Sequence, residues 1–297
     1  MKLCLILLYI MTHKDTFFTQ KRSLNLGGRL MDLTQPKVMG ILNLTPDSFY
    51  GGSRLADETQ ILARAEEMLA QGADFLDLGA YSTRPGAEEV SAEEEEERLI
   101  PAVELLSKTF PQAFLSVDTF RAAVAEKAIG SGAHIINDVS GGTLDKKMFA
   151  TVGRLGVPYV LMHMRGTPKT MSKLNQYQNL AQELYSYFAE KIQELKSLGV
   201  KDLIIDPGFG FAKNIDQNYH LLNHLAHFKS LGHPLLAGLS RKSMIWKTLN
   251  CQPSEALNAT TALNMVALQH GASILRVHDV KEAKECITIF NKLKNNC

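Results

Sequence analysis

The sequence predicts one α/β domain, closed as a (β/α)8 TIM barrel, and three observations carry that reading. Eight short segments are rich in branched and apolar residues: Val38–Asn43, Phe75–Leu78, Phe114–Asp118, His134–Asp138, Tyr159–His163, Leu203–Asp206, Leu235–Leu239 and Ile274–His278. Their near-continuous apolarity suits strands buried on both faces. Each is followed by a helical pattern, and successive strand ends, taken near Asn43, Leu78, Asp118, Asn137, Met162, Asp206, Leu239 and Arg276, lie about 19 to 44 residues apart, as βα units with unequal loops require. Eight consecutive units favour a closed barrel over an open sheet. An open dinucleotide-binding sheet is the weaker alternative, because no GxGxxG follows the first strand. A barrel needs about 250 residues, and the chain has 297.

Taken in order, the chain begins with Lys2 and an apolar run, Leu3 to Met11. A membrane-spanning helix needs about 20 apolar residues, and no small-x-small cleavage site follows. Residues 1–22 are therefore read as an N-terminal extension without a fold of its own, and 23–297 as the barrel domain. Ser23–Leu33 alternates around Gly27 and Gly28 as a β-hairpin does, placed to plug the bottom of the barrel. Leu62, Ala65, Met68 and Leu69 form the apolar stripe of one helix, and Leu99, Val103, Leu106 and Phe110 that of another. The acidic run Glu93–Glu97 falls at a helix start, where the macrodipole favours acids, and is read as solvated.

Composition narrows the function. The chain is 45% apolar and 21% charged, with 32 basic and 31 acidic residues and a net charge of +1. That balance excludes disorder and gives no electrostatic case for nucleic acid or an anionic membrane. Four scattered cysteines without metal spacing fit reduced thiols in a cytoplasmic protein.

In such barrels chemistry sits at the carboxyl ends of the strands, and here those ends are polar. The first runs from Asn43 into a loop carrying Pro46, Phe49, Gly51 and Gly52; the second enters Tyr81-Ser-Thr-Arg-Pro-Gly86, where Arg84 suits an anion. Asp77, inside the second strand, reads as a buried, paired structural acid. The third, fourth and sixth strands end in Asp118, Asn137-Asp138 and Asp206. One such residue is ordinarily a cap, but three on a barrel mouth suit a flat, amidine-like heterocycle. The seventh leads to Arg241-Lys242-Ser243 at a helix start, where cations oppose the macrodipole and an anionic or electron-rich ligand would relieve them. The eighth carries Arg276 and His278 on one face, ahead of a helix beginning near Asp279, a pattern suited to pyrophosphate. A buried Arg–acid pair is the alternative there.

At this point the motifs resemble those of the dihydropteroate synthases. Met39-Gly-Ile-Leu-Asn-Leu-Thr-Pro-Asp-Ser-Phe49 and Ser82-Thr-Arg-Pro-Gly-Ala87 are similar to that family's first two signatures. Ser116-Val-Asp-Thr119, Ile136-Asn-Asp-Val-Ser-Gly-Gly142, Leu161-Met-His-Met164, Asp206-Pro-Gly-Phe-Gly-Phe211, Gly238-Leu-Ser-Arg-Lys-Ser243 and Arg276-Val-His-Asp279 continue in order. The resemblance runs from about Ser23 to the C-terminus. It implies a transferase of folate biosynthesis that joins 6-hydroxymethyl-7,8-dihydropterin pyrophosphate to p-aminobenzoate by an SN1-like course, giving 7,8-dihydropteroate and pyrophosphate. It also implies Mg²⁺ at Asn43, a homodimer, and a sulfonamide target.

By that resemblance Asp118, Asn137, Met162, Asp206, Phe211, Lys242 and Arg276 bind the pterin. Phe49, Thr83, Pro85, Lys242 and Ser243 shape the p-aminobenzoate pocket, and Asn43, Arg84, Arg276 and His278 take the pyrophosphate. The catalytic set is Lys242, Arg276, His278 and Asp206. Three positions depart from the family pattern: Tyr81 where Glu is frequent, Arg165 where Gln is commoner, and Ala212 where Gly is frequent. Related barrels that move methyl groups to corrinoids lack the two loop signatures present here, and an inactive paralogue would have lost Lys242 or Arg276.

Overall fold

Eight parallel strands close on themselves in the computed structural model, which describes residues 21–44, 54–81 and 90–296. An antiparallel hairpin comes first, β1 (Ser23–Leu26) and β2 (Arg29–Asp32). Gly27 and Gly28 turn it with φ of 61° and 89°, values that favour residues without a Cβ. The barrel then alternates through β3 (Lys37–Asn43), α1 (Arg54–Ala70), β4 (Phe75–Gly79), α2 (Ala92–Thr109), β5 (Phe114–Asp118), α3 (Ala122–Gly130), β6 (Ile135–Asp138) and α4 (Met148–Leu155). It continues with β7 (Tyr159–Met162), α5 (Leu180–Ser197), β8 (Leu203–Asp206), α6 (Ile215–Asn223) and β9 (Leu235–Ala237). The short α7 (Ser243–Thr248), α8 (Leu257–Gln269), β10 (Ala272–Val277) and α9 (Val280–Lys294) complete the chain. β10 pairs with both β3 and β9 and closes the ring.

The expected strands fall where the sequence placed them, to within one or two residues. The seventh barrel strand stops at Ala237, and the fifth at Met162, just before His163, whose side chain meets Lys213 Nζ. Helix stripes pack as read: Ala65 and Met68 are buried on α1, and Leu99, Val103 and Leu106 on α2. One expectation fails. Glu95 is not solvated but fully buried, paired with Arg121 at the start of α3. It lies four and eight residues before Leu99 and Val103, and so on the stripe that faces the barrel.

Strand alternation divides the side chains. Leu76, Leu78, Leu115, Val117, Leu161 and Leu203 point outward into one large core under the helices. The intervening residues fill the barrel in layers. At the bottom, Leu24, Leu26 and Leu33 of the hairpin segment pack on Met39, Phe75, Ile135, Val160, Ile204, Leu236 and Ile274, so the hairpin plugs that end. Lys21 ties the entering chain down, through a 2.7 Å ion pair with Asp202 and a backbone bond to Gly232. Among the described residues no helix is long and apolar enough to cross a membrane.

Candidate active site at the barrel mouth

Two residues further along the same strands, the interior turns polar. Asp77, Ser116, Asn137, Asp206 and Arg276 succeed Phe75, Phe114, Ile135, Ile204 and Ile274 on the inward face, and Asp118 and Asn43 stand one step higher. Asn137, Asp206 and Asp77 are buried; Asp118, Arg276, Lys242, Asn43 and His278 are partly so.

Arg276 links the acids. Its Nε donates to Asp77 Oδ2 at 2.6 Å and its Nη2 to Asp118 Oδ2 at 2.8 Å. The Arg–acid pair set aside at the sequence level is thus present, and it lies within the strand-end cluster. Asn137 Nδ2 donates to the same Asp77 oxygen at 3.0 Å. Burial works against the charge of Arg276, but Asp77 and Asp118 outweigh it and hold its pKa above the ordinary arginine value. Burial pushes the Asp118 carboxyl upward, against the pull of Arg276, and raises Asp206 against the Gly208 amide and Lys242. Neighbouring Asp138 faces outward instead. It accepts from the Tyr159 hydroxyl at 2.7 Å and from the amides of Ser140 and Gly142, so it is a loop anchor.

Lys242 immediately precedes α7, with its Nζ 4.3 Å from the centre of the Phe211 ring. Burial lowers it to about 8, with Asp206 opposing. Ser243 begins α7 beside it. Arg241 turns the other way, forking onto Asp279 with two 2.9 Å bonds, and so neutralises the acid at the start of α9. His278 is oriented by Ser240, whose Oγ lies 3.0 Å from Nδ1. Asn43 and His278 line a groove of about 480 Å³ together with Ile41, Gln60, Arg64 and Glu67. Met162 and Phe211 share a small apolar cluster with Val139, Met164, Met171 and Ala212.

The loop after β8 is held from beneath. Lys213 is buried, and its Nζ reaches Gly208 O (3.0 Å), Phe211 O (2.9 Å) and His163 Nδ1 (3.1 Å). A Cβ at Gly208, whose φ is 73°, would sit 2.1 Å from the His163 carbonyl oxygen, so glycine alone fits. Sequence reasoning missed Lys213, because a lone lysine in a Gly-rich loop carries no periodic signal. It also missed the link from Asp77 to Arg276, although both stand on inward positions.

The three departures each have a place. Tyr81 packs edge-on against Phe120, 5.3 Å between rings, with Arg121 over both. Arg165 lies 3.9 Å over Tyr177 and pairs with Glu183 at 2.6 Å. Ala212 has φ 50°, a left-handed conformation normally left to glycine. Phe49, Thr83, Arg84 and Pro85 lie outside the described residues. Among the described residues no three His, Cys, Asp or Glu gather in a metal-holding group.

Known proteins resemble this chain in sequence and in fold. Residues 39–278 match the model of the pterin binding enzymes. The dihydropteroate synthase of Escherichia coli K12 is 44% identical over 264 residues, covering 88% of this chain and 93% of the relative. The Yersinia pestis dihydropteroate synthase, solved with a sulfonamide drug, superposes with a TM-score of 0.85 at 41% identity, over 92% of this chain and 99% of that one. The Xanthomonas albilineans dihydropteroate synthase, solved with 4-aminobenzoic acid, gives 0.86 at 38% identity, over 93% and 99%.

Proposed function

This chain belongs to the pterin-binding enzymes, in the dihydropteroate synthase family, and we propose that its barrel mouth joins 6-hydroxymethyl-7,8-dihydropterin pyrophosphate to p-aminobenzoate. The observation that carries the reading is the convergence of Asp118, Asn137, Asp206 and Lys242 on one end of the barrel, beside Arg276 and His278. Two acids and an amide offer acceptors for the amidine-like edge of a pterin, and Lys242 offers a donor for its carbonyl side. Met162 and Phe211 supply apolar packing, and Arg276 a planar cation for the ring.

The reaction breaks the bond between the exocyclic methylene and the pyrophosphate oxygen, and the electron pair leaves with pyrophosphate. Arg276, His278, Asn43 and Arg84 take up the developing charge. The electron-rich dihydropterin stabilises the methylene cation, as an SN1-like course needs. The amine lone pair of p-aminobenzoate then forms the C–N bond, and the amine proton passes to solvent or to the departing pyrophosphate. An aryl amine is neutral near pH 7, so no strong base is required. The family resemblance assigns p-aminobenzoate, and with it a sulfonamide, to Phe49, Thr83, Pro85, Lys242 and Ser243.

Asn43 offers one amide oxygen, and among the described residues no metal-holding group of His, Cys, Asp or Glu gathers. That fits a Mg²⁺ ion that arrives with pyrophosphate and draws most ligands from phosphate and water, not a protein-built cage. When bound, the ion would neutralise leaving-group charge. A homodimer belongs to the same reading, supported by the apolar surface that Ile289 and Leu293 leave on α9. So does a cytoplasmic location, which the balanced charge and scattered thiols favour.

Pyrophosphate release, assayed with each substrate alone and with both, tests the reaction. Release is expected only with both. Release without p-aminobenzoate would make the chain a hydrolase and overturn the reading.

A further inference from the structure

Among the described residues, Asp77 is the one carboxylate of the barrel interior that the proposed reaction leaves unused. It is wholly buried, and one of its oxygens receives both Arg276 Nε and Asn137 Nδ2. The other, Oδ1, has no hydrogen-bond partner among the described residues, and neither has the Ser116 hydroxyl, which stands in register on the next strand. A purely structural role explains this poorly. Apolar side chains of similar volume hold barrel interiors at least as well as buried charges, and the layer immediately below is apolar throughout.

Resting on the pterin reading above, we infer that Asp77 is a positioning residue: it aims Arg276 and Asn137 at the pterin and keeps Arg276 at the barrel mouth while Asp118 is engaged. The atoms assign each part. Asn137 commits one amide hydrogen to Asp77, which fixes which end of its amide is oxygen. One acceptor and one donor remain for a heterocycle edge. Arg276 is held at two points, by Nε on Asp77 and by Nη2 on Asp118. A pterin N–H that takes Asp118 Oδ2 displaces Nη2 only. The Nε–Asp77 bond remains as a pivot, and the guanidinium turns its released N–H groups toward the ring and the pyrophosphate instead of withdrawing. Asp77 touches neither substrate. It acts through Arg276 and Asn137, and on the pterin half of the reaction alone.

The test is Asp77→Asn, which keeps size and removes the charge. Calorimetric affinity for a dihydropterin is expected to fall by about tenfold or more, in line with the loss of charge-assisted hydrogen bonds. The KM for pterin pyrophosphate should rise in parallel, and the KM for p-aminobenzoate should stay within about twofold. In an Arg276→Lys background, which has no Nε, the further effect of Asp77→Asn should shrink by most of its size. A folded Asp77→Asn with wild-type pterin affinity would overturn the inference, as would full additivity with Arg276→Lys. Should Asp77→Asn not fold, Arg276→Lys and Asn137→Ala form a second cycle. Non-additive losses in pterin affinity are expected if one carboxylate serves both, and additive losses would overturn it. If the wild-type enzyme does not couple the two substrates at all, the pterin reading itself fails. That outcome is separate from any behaviour of the variants.

Discussion

Ile135 and Asn137 stand two residues apart on one strand and face the same barrel interior, yet they belong to different regimes. Ile135 joins Leu24, Leu26, Met39, Phe75 and Ile274 in a layer of apolar side chains. Asn137 joins Asp77, Asp118, Asp206 and Arg276 in a layer of charges withdrawn from water. The lower layer stabilises the fold by burial, about 1.5–3 kcal/mol for each large side chain. The upper layer costs desolvation, which its ion pairs and hydrogen bonds only partly recover. Stability is built at one end of the strands and held under load at the other, and the two ends should separate cleanly under mutation.

The largest effect is expected at the upper end. Lys242→Ala should lower kcat/KM for pterin pyrophosphate by about a hundredfold to a thousandfold, the range seen when a preorganised electrostatic group is removed. Its melting temperature should hold or rise, because burial already disfavours the Lys242 ammonium. A large drop in melting temperature would break the comparison. At the lower end the pattern should invert. Leu26 is wholly buried beneath the barrel, and Leu26→Ala should cost about 2–5 kcal/mol in denaturant unfolding. Turnover per folded molecule should be unchanged, and a loss of turnover would show that the hairpin plug reaches the mouth.

The two layers were unequally legible in the sequence. Continuous apolar runs marked the strands, because both faces of a barrel strand are buried. The polar residues ending those runs marked Asn43, Asp118, Asn137, Asp206 and Arg276. What the runs concealed was facing. Asn137 and Asp138 are adjacent and equally polar, and only the closed barrel shows that the first turns inward while Asp138 anchors a loop to Tyr159. Arg241 and Lys242 divide in the same way, one onto Asp279 and the other over Phe211. Glu95 was recoverable, since helical spacing places it on the stripe of Leu99 and Val103. Lys213 was not, because its three partners come from a turn and from another strand end.

Lys213 sharpens the comparison through pH. Burial pulls its pKa from the ordinary 10.5 to about 7; Asp206 opposes that shift, while Lys242 and Arg165 add to it. His163, which faces it, is pushed to about 2 by burial and by the lysine charge, and so stays neutral. A lysine whose folded pKa is lowered binds fewer protons in the native state than in the unfolded one. Its contribution to stability therefore grows as pH rises from about 7 toward 10.5. Lys242 has the same sign between about 8 and 10.5. The neutral amine can keep all three contacts by donating to the two carbonyls and accepting from the His163 ring. Unfolding free energies at pH 7 and pH 9 should accordingly show a gain for the wild type that Lys213→Met reduces by about 1–2 kcal/mol. Equal pH slopes in the two proteins would remove Lys213 from the loaded layer.

The smallest effect is expected at Ala212, where the two regimes meet in one residue. Its φ of 50° is left-handed, and a Cβ there costs about 1–2 kcal/mol. Replacement by glycine relieves that strain. It also frees the unfolded chain, which costs about 0.4–1 kcal/mol, and it withdraws a buried methyl from the cluster of Met162, Met164, Met171 and Phe211, worth about 0.8 kcal/mol. The gain and the two losses nearly cancel. Ala212→Gly should change unfolding free energy by less than about 1 kcal/mol, a shift of at most about 2–4 °C in melting temperature. A larger gain would mean that the strain is uncompensated and held in the site as the buried charges are. A larger loss would mean that the methyl is core in the sense that Leu26 is, so that the apolar regime reaches the mouth along this loop. Tyr177, whose hydroxyl donates to the Ala212 carbonyl at 3.0 Å, holds the backbone in either case. Methyl packing against Phe211 should therefore decide the sign, and calorimetric melting of the single variant reads it directly.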